Sequence, residues 1–246
     1  MRILHVSHTG LNNPRIERMA QTMAKQGHTL LFLGGAPVTR KSVFDETRSL
    51  PIPSGLRILY DSNVKKRWLK EITSFKPDIV HAHNIITGHF LLDSELPTIF
   101  DDHEVLSKQP FMYASRPFIR RMAAKVLWRH LPKWEKDMAL RFPIITISEG
   151  LANYYRQYSS NVEVVVNTPS LNEVEWLENF PQRKGLVYIG GDFSLKKFNP
   201  YRDMSGLRDL LEFDIISGFP HDEMMKRLTH YRIGLTPFKP TFEKQV

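Results

Sequence analysis

The sequence predicts an α/β protein with a Rossmann-like N-terminal domain on a parallel sheet at residues 1–169. A linker at 170–184 and an incomplete second Rossmann-like domain at 185–246 follow. Three observations predict it. Short apolar runs alternate with helix-period segments from the first residues onward, as βαβ units require. The run Ile79-Val80-His81-Ala82-His83-Asn84 lies between two helical patterns and reads as a buried central strand. A fresh β unit opens at Gly185-Leu186-Val187-Tyr188-Ile189-Gly190-Gly191, after a polar stretch containing Pro181.

Residues 2–6 form the first strand. Asn13 then fits a helix N-cap and Pro14 the first helical position, where a missing N–H costs nothing. Ile16, Met19, Ala20, Met23 and Ala24 recur at helical spacing, and Gly27 supplies a left-handed end. Residues 29–33 are the next strand. The opening is β-loop-α-β without Gly-x-Gly-x-x-Gly, which argues against a standard dinucleotide site. Residues 36–54 are expected as an irregular loop, 56–60 as a third strand and 63–76 as a helix with a basic face. A short helix at 85–92 and a strand at 97–100 come next. The segment 116–136 is expected as a basic amphipathic helix that Pro132 kinks or splits, with Glu135 its lone acid. Beyond it, strands are expected at 143–147 and 162–166, with a helix opening at Ser148-Glu149-Gly150 and running to 158. In the second domain, strands are expected at 213–217 and 232–236, with a helix at 222–230 between them.

Composition narrows the partners. The chain has 246 residues, no cysteine, and 34 Lys and Arg against 26 Asp and Glu, a net charge of +8. That excludes a disulfide framework and a cysteine nucleophile, and it favours an anionic partner. No apolar stretch is long enough for a signal peptide or a membrane span. A cytoplasmic protein is expected, with peripheral contact between 116–136 and an anionic inner membrane face. Nucleic acid is not expected, because no recognised binding motif accompanies the basic helix.

The candidate site lies where strands end, since ligands of open α/β sheets sit beyond the carboxyl edge. His81 and His83 point to one side of their strand there, followed by Asn84. The next strand ends in Asp101-Asp102-His103-Glu104, a second ionisable cluster on the same rim. Arg15 and Arg18 flank a helix N-terminus, itself an anion-attracting position. A metal held by His81, His83 and the second cluster, a structural histidine pair and a ligand site all remain open. With no cysteine, convergent zinc ligands are scarce, and no metal is expected.

Several motifs occur in a fixed order: Pro77-Asp78-Ile79-Val80-His81-Ala82-His83, Asp102-His103-Glu104, and Ile145-Thr146-Ile147-Ser148-Glu149-Gly150-Leu151. They continue with Val164-Val165-Val166-Asn167-Thr168-Pro169, Val187-Tyr188-Ile189-Gly190-Gly191 and Gly234-Leu235-Thr236-Pro237-Phe238-Lys239. Together with Asn13-Pro14-Arg15-Ile16 this set resembles glycosyltransferase family 4, retaining enzymes of the GT-B fold. The resemblance implies an acceptor side on the first domain and a nucleotide-sugar donor mainly on the second. It places His83 at the active-site histidine that contacts the donor sugar. Acceptor or substrate contacts then fall to Asn13, Arg15, His81, Asn84, Asp102, His103 and Glu104. Donor contacts fall to Gly190, Gly191, Lys196 and Lys197. The resemblance implies neither metal nor other cofactor, the nucleotide-sugar being substrate, and a glycan or lipid-linked acceptor in cell-envelope or exopolysaccharide synthesis. The family's paired donor-binding glutamates follow the strand ending at Thr236, and this sequence does not reach them. A truncated chain with little activity alone is therefore expected. A nucleotide-sugar epimerase and a non-catalytic glycan- or lipid-binding module are the alternatives.

Overall fold

The computed structural model describes residues 1–11, 13–39, 41–52, 62–108, 118–168, 183–189, 211–219 and 221–235. Two compact units result, one from Met1–Pro110 and Arg116–Asn167, the other centred on Thr168–Gln245.

The first unit is built on seven parallel strands. They are β1 (Arg2–Ser7), β2 (Thr29–Gly34), β3 (Glu46–Ser49), β4 (Ile79–His83), β5 (Thr98–Asp101), β6 (Ile144–Thr146) and β7 (Val162–Val164). Their order is β3-β2-β1-β4-β5-β6-β7, so the winding reverses between β1 and β4. Such a switch point opens a crevice at the carboxyl edge. The pairing His5↔His81 and Ser7↔His83, continued by His83↔Asp101, lines up polar side chains across three strands.

Among the described residues five helices cover the sheet, namely α1 (Pro14–Lys25), α2 (Ser62–Ser74), α3 (Ile85–Leu91), α4 (Phe118–Arg141) and α5 (Glu149–Arg156). α1 starts as expected, the Asn13 side chain accepting from the Arg15 N–H behind Pro14. It ends at Gln26, and Gly27 follows at φ 79°. Strand alternation sorts the residues into two layers. Ile3, Leu30 and Phe32 pack with Ile16 and Ala20 of α1. Leu4, Val6, Leu31, Leu33, Val80 and Phe100 pack on the opposite side with Trp68, Phe90, Trp134, Met138 and Tyr155 from α2 to α5. Each large apolar side chain so buried contributes about 1.5–3 kcal/mol over exposure.

Several expectations are corrected. β3 falls inside the expected loop, because its sequence Glu46-Thr47-Arg48-Ser49 carries no apolar alternation. Bonded, among the described residues, only to β2, it stands at the edge of the described sheet and does not need one. The strand expected at 56–60 and most of the linker at 170–184 lie outside the described residues. α4 runs through Pro132 as one helix. Leu131 on one side of the proline and Trp134, Met138 and Ala139 on the other anchor it to the same apolar layer. Trp134 is therefore buried, stacked on the His89 ring with centroids 3.9 Å apart. β7 stops at Val164, leaving Val165 and Val166 exposed.

In the second unit β8 (Leu186–Ile189), β9 (Asp214–Ile216) and β10 (Ile233–Leu235) pair in parallel in the order β10-β8-β9. Helix α6 (His221–Leu228) connects β9 to β10.

Candidate active site at the carboxyl edge of β1, β4 and β5

The site is built on three neighbouring strand ends. His83 ends β4, and its Nδ1 stands 2.9 Å from Asp101 Oδ2 at the end of β5. A carboxylate only accepts, so Nδ1 carries a proton, and in the neutral ring Nε2 is then the acceptor. His5 Nδ1 of β1 meets that Nε2 at 2.8 Å and donates to it. Arg15, from the first turn of α1, closes the chain. Its Nε lies 3.1 Å from both Asp101 oxygens and its second guanidinium nitrogen 2.8 Å from Oδ1. The remaining nitrogen donates to the Val165 carbonyl at 2.8 Å. A continuous relay thus runs Arg15–Asp101–His83–His5, with each member no more than 2% exposed.

Burial sets the protonation states. Desolvation lowers His5 well below the ordinary imidazole range, and the neighbouring His81 and His83 push it the same way. Desolvation also lowers His81, to about 3. Asp101 is pushed up by burial, but the hydrogen bonds from His83 and Arg15 and the electrostatic pull of His83 and His81 outweigh that and hold the carboxyl ionised. The product is one buried carboxylate and guanidinium beside neutral His5 and His81 rings.

Above this layer lies a half-exposed rim. Asn84 follows His83 at φ 88° and ψ 158°, a region nearly reserved for glycine. It caps α3 by accepting from the Thr87 N–H, and its amide lies 3.4 Å from Ser7 Oγ. Ser7 Oγ in turn meets Thr9 Oγ1 at 3.0 Å. Asn13 Nδ2 lies 3.4 Å from His103 Nε2, bringing the α1 cap to the loop after β5. Burial lowers the His103 pKa below that of a free imidazole. Arg18 Nη1 donates to Asn167 Oδ1 at 3.0 Å. A rim of neutral amide, hydroxyl and imidazole groups suits a polyhydroxylated ligand.

Six of the eight sequence-predicted residues that are described converge here, in two layers. Asn13, Asn84 and His103 are on the rim, whereas Arg15, His81 and His83 are buried behind it. Glu104 is exposed, with its backbone N–H directed at Asp102 Oδ1. Asp102 points away from the histidines, to the Tyr155 hydroxyl of α5. Burial, reinforced by the nearby Glu135, raises it well above the carboxylate range against the pull of Tyr155 and the Glu104 N–H. Glu135 is also buried and accepts from the Ser107 N–H and the Tyr154 hydroxyl, at 2.9 and 2.7 Å. Gly190, Gly191, Lys196 and Lys197 lie outside the described residues. Sequence reasoning passed over His5, although its place three residues before His8 on an apolar strand was a visible signal. It placed Asp101 in the ionisable cluster after β5 but gave it no role in the substrate site, where register makes it the central carboxylate.

The family model described as Glycosyltransferase Family 4 matches residues 14–168. Among solved structures, the chain resembles sucrose-phosphate synthase from Thermosynechococcus elongatus, with 12% identity and a TM-score of 0.64 over 98% of this chain and 77% of that one. WaaG, a glycosyltransferase involved in lipopolysaccharide biosynthesis, matches at 11% identity and a TM-score of 0.58, covering 98% and 71%. HepE from Anabaena, in complex with UDP and glucose, matches at 13% identity and 0.56, covering 96% and 70%. At such identities the likeness bears on the fold. Among curated proteins no match is found.

Proposed function

The chain belongs to glycosyltransferase family 4, and from that premise we propose that it moves a sugar from a nucleotide-sugar donor to a glycan or lipid-linked acceptor with retention of configuration. The observation that carries this reading is the strained Asn84 at the carboxyl end of β4, set among hydroxyl, amide and imidazole groups at the switch point. Backbone strain persists where surrounding structure enforces it, and it clusters at ligand sites. Asn13, Asn84, His103 and Glu104 contact the acceptor, while Arg15, His81 and Asp102 hold the layer behind them. His83 serves at the reacting centre by exchanging its His5 hydrogen bond for one to a donor-sugar hydroxyl. Its Nε2 then supports the oxocarbenium-like transition state, and Asp101 keeps the tautomer fixed. Gly190, Gly191, Lys196 and Lys197 hold the donor diphosphate. The step draws on no metal or other cofactor, and the setting proposed is the cytoplasmic face of the envelope.

The test is a transfer assay with a panel of nucleotide-sugars and isolated envelope glycolipids, with the product's anomeric configuration read by NMR. Sugar transferred in this assay, by the chain alone or with a complementing donor-side fragment, should appear as a retained glycoside. His83→Ala and Asn84→Ala should reduce its rate by about 10²-fold or more without loss of fold. Conversion of the donor without acceptor would replace this reading with an epimerase. Acceptor binding without turnover would replace it with a binding module.

A further inference from the structure

His5, His81 and His83 form a second constellation behind the rim. All three are buried, and one ring nitrogen from each lies within 4.8 Å of the others. They come from the two central strands, paired His5↔His81 with His83 two residues further along β4. His5 Nε2 and both ring nitrogens of His81 have no hydrogen-bond partner among the described residues. Unpaired buried ring nitrogens are costly, and an ion or a water beside His81 would satisfy one of its two. His83 is meanwhile held as metal-binding histidines usually are, with Nδ1–H on a carboxylate and the Nε2 lone pair directed away.

The geometry points to a site for a divalent transition ion, zinc in the first instance, ligated by His5 Nδ1, His83 Nε2 and a ring nitrogen of His81. Three neutral imidazoles suit zinc, nickel or copper, and they are poor ligands for calcium or magnesium. Zinc takes the place of the proton between His5 and His83. That proton passes to His5 Nε2, so the ring stays neutral and no co-reactant is needed. Tetrahedral zinc sets its nitrogens about 3.3 Å apart. That spacing lies between the 2.8 Å of His5 and His83 and the 4.8 Å span of the whole group. The Arg15 guanidinium is balanced by Asp101, which stands between it and His83. The ion staples β1 to β4. It also occupies the nitrogen assigned above to the sugar, so metal loading and sugar contact at His83 exclude each other. The site stands whether or not the chain transfers sugar, because its readout is metal content.

The experiment is equilibrium dialysis of chelator-stripped chain against zinc, with cobalt(II) as a spectroscopic probe. The wild type should retain about one equivalent per chain and give an intense tetrahedral cobalt spectrum. His81→Asn and His5→Asn should weaken retention at least about tenfold, and the exposed His130→Gln should not. Zinc should also raise the wild-type melting temperature, and chelator should reverse the rise. Should the variants fail to fold, X-ray absorption on zinc-loaded wild type decides, three imidazole nitrogens at about 2.0 Å being the expected shell. Zinc lost on dialysis, oxygen-dominated ligation, or equal retention by folded His81→Asn would overturn the site and leave a buried water as the partner of these nitrogens.

Discussion

Arg15 and Asp101 form a buried ion pair whose side chains are 3% and 0% exposed. Removing one partner from such a pair leaves an uncompensated charge, so Arg15→Ala should lose about 3–5 kcal/mol. Urea denaturation measures it, and a loss below about 1 kcal/mol would mean that the relay is solvated. Asp102 makes a different prediction. An unfolded aspartate titrates near 3.9, whereas burial and Glu135 keep the folded Asp102 protonated to higher pH. Between those two values the folded state binds more protons, so this residue's contribution to stability falls as pH rises from about 4 through the folded pKa. Asp102→Asn keeps the neutral shape and does not titrate. Its denaturation midpoint should fall less than that of wild type across the window, and parallel curves would show Asp102 to be ionised.

At the scale of elements, the rim depends on close backbone contact between the loop after β1 and the end of β2. The Gly35 N–H donates to the Ser7 and Thr9 carbonyls at 3.0 and 2.9 Å. A Cβ on Gly35 would stand 1.9 Å from the His8 carbonyl oxygen. Backbone flanks the clash, so no side chain can swing away. Gly35→Ala should cost about 1–3 kcal/mol or more, and an unchanged denaturation midpoint would refute this packing. Sequence legibility varied between elements for similar local reasons. α1 was readable because Asn13, Pro14 and Gly27 mark both ends with backbone chemistry. β3 was not, since a polar edge strand carries no periodic signal. Pro132 does not split α4, because tertiary anchoring on both sides outweighs one missing hydrogen bond.

At the scale of the molecule, a net charge of +8 draws the chain toward anionic surfaces. No helix among the described residues is long and apolar enough to cross a membrane. Arg129, Lys133 and Lys136 are exposed on α4, while Trp134 is turned inward. Membrane contact through 116–136, which the sequence predicts, would therefore be largely electrostatic along the part of α4 whose side chains are described. Binding to anionic vesicles should fall steeply as salt is raised from 0.1 to 1 M, where the screening length drops from about 10 to about 3 Å. Arg129→Glu with Lys133→Glu should weaken it further. Salt-independent binding would instead demand apolar insertion.

The sequence by itself determined the α/β class, the order of most strands and helices, and the strand ends at which the candidate site lies. Those follow from local periodicity and capping, which act over a few residues and leave a direct trace in the chain. The family resemblance added His83 and its neighbours as the expected centre. Only the tertiary structure decided which side chains meet. Register across β1, β4 and β5 joined His5, His83 and Asp101, residues up to 96 positions apart in the chain. The face-to-face alternation after β5 sent Asp101 to Arg15 and Asp102 to Tyr155. Neighbours in sequence thereby acquired pKa shifts of opposite sign, because burial and charge partners depend on three-dimensional packing.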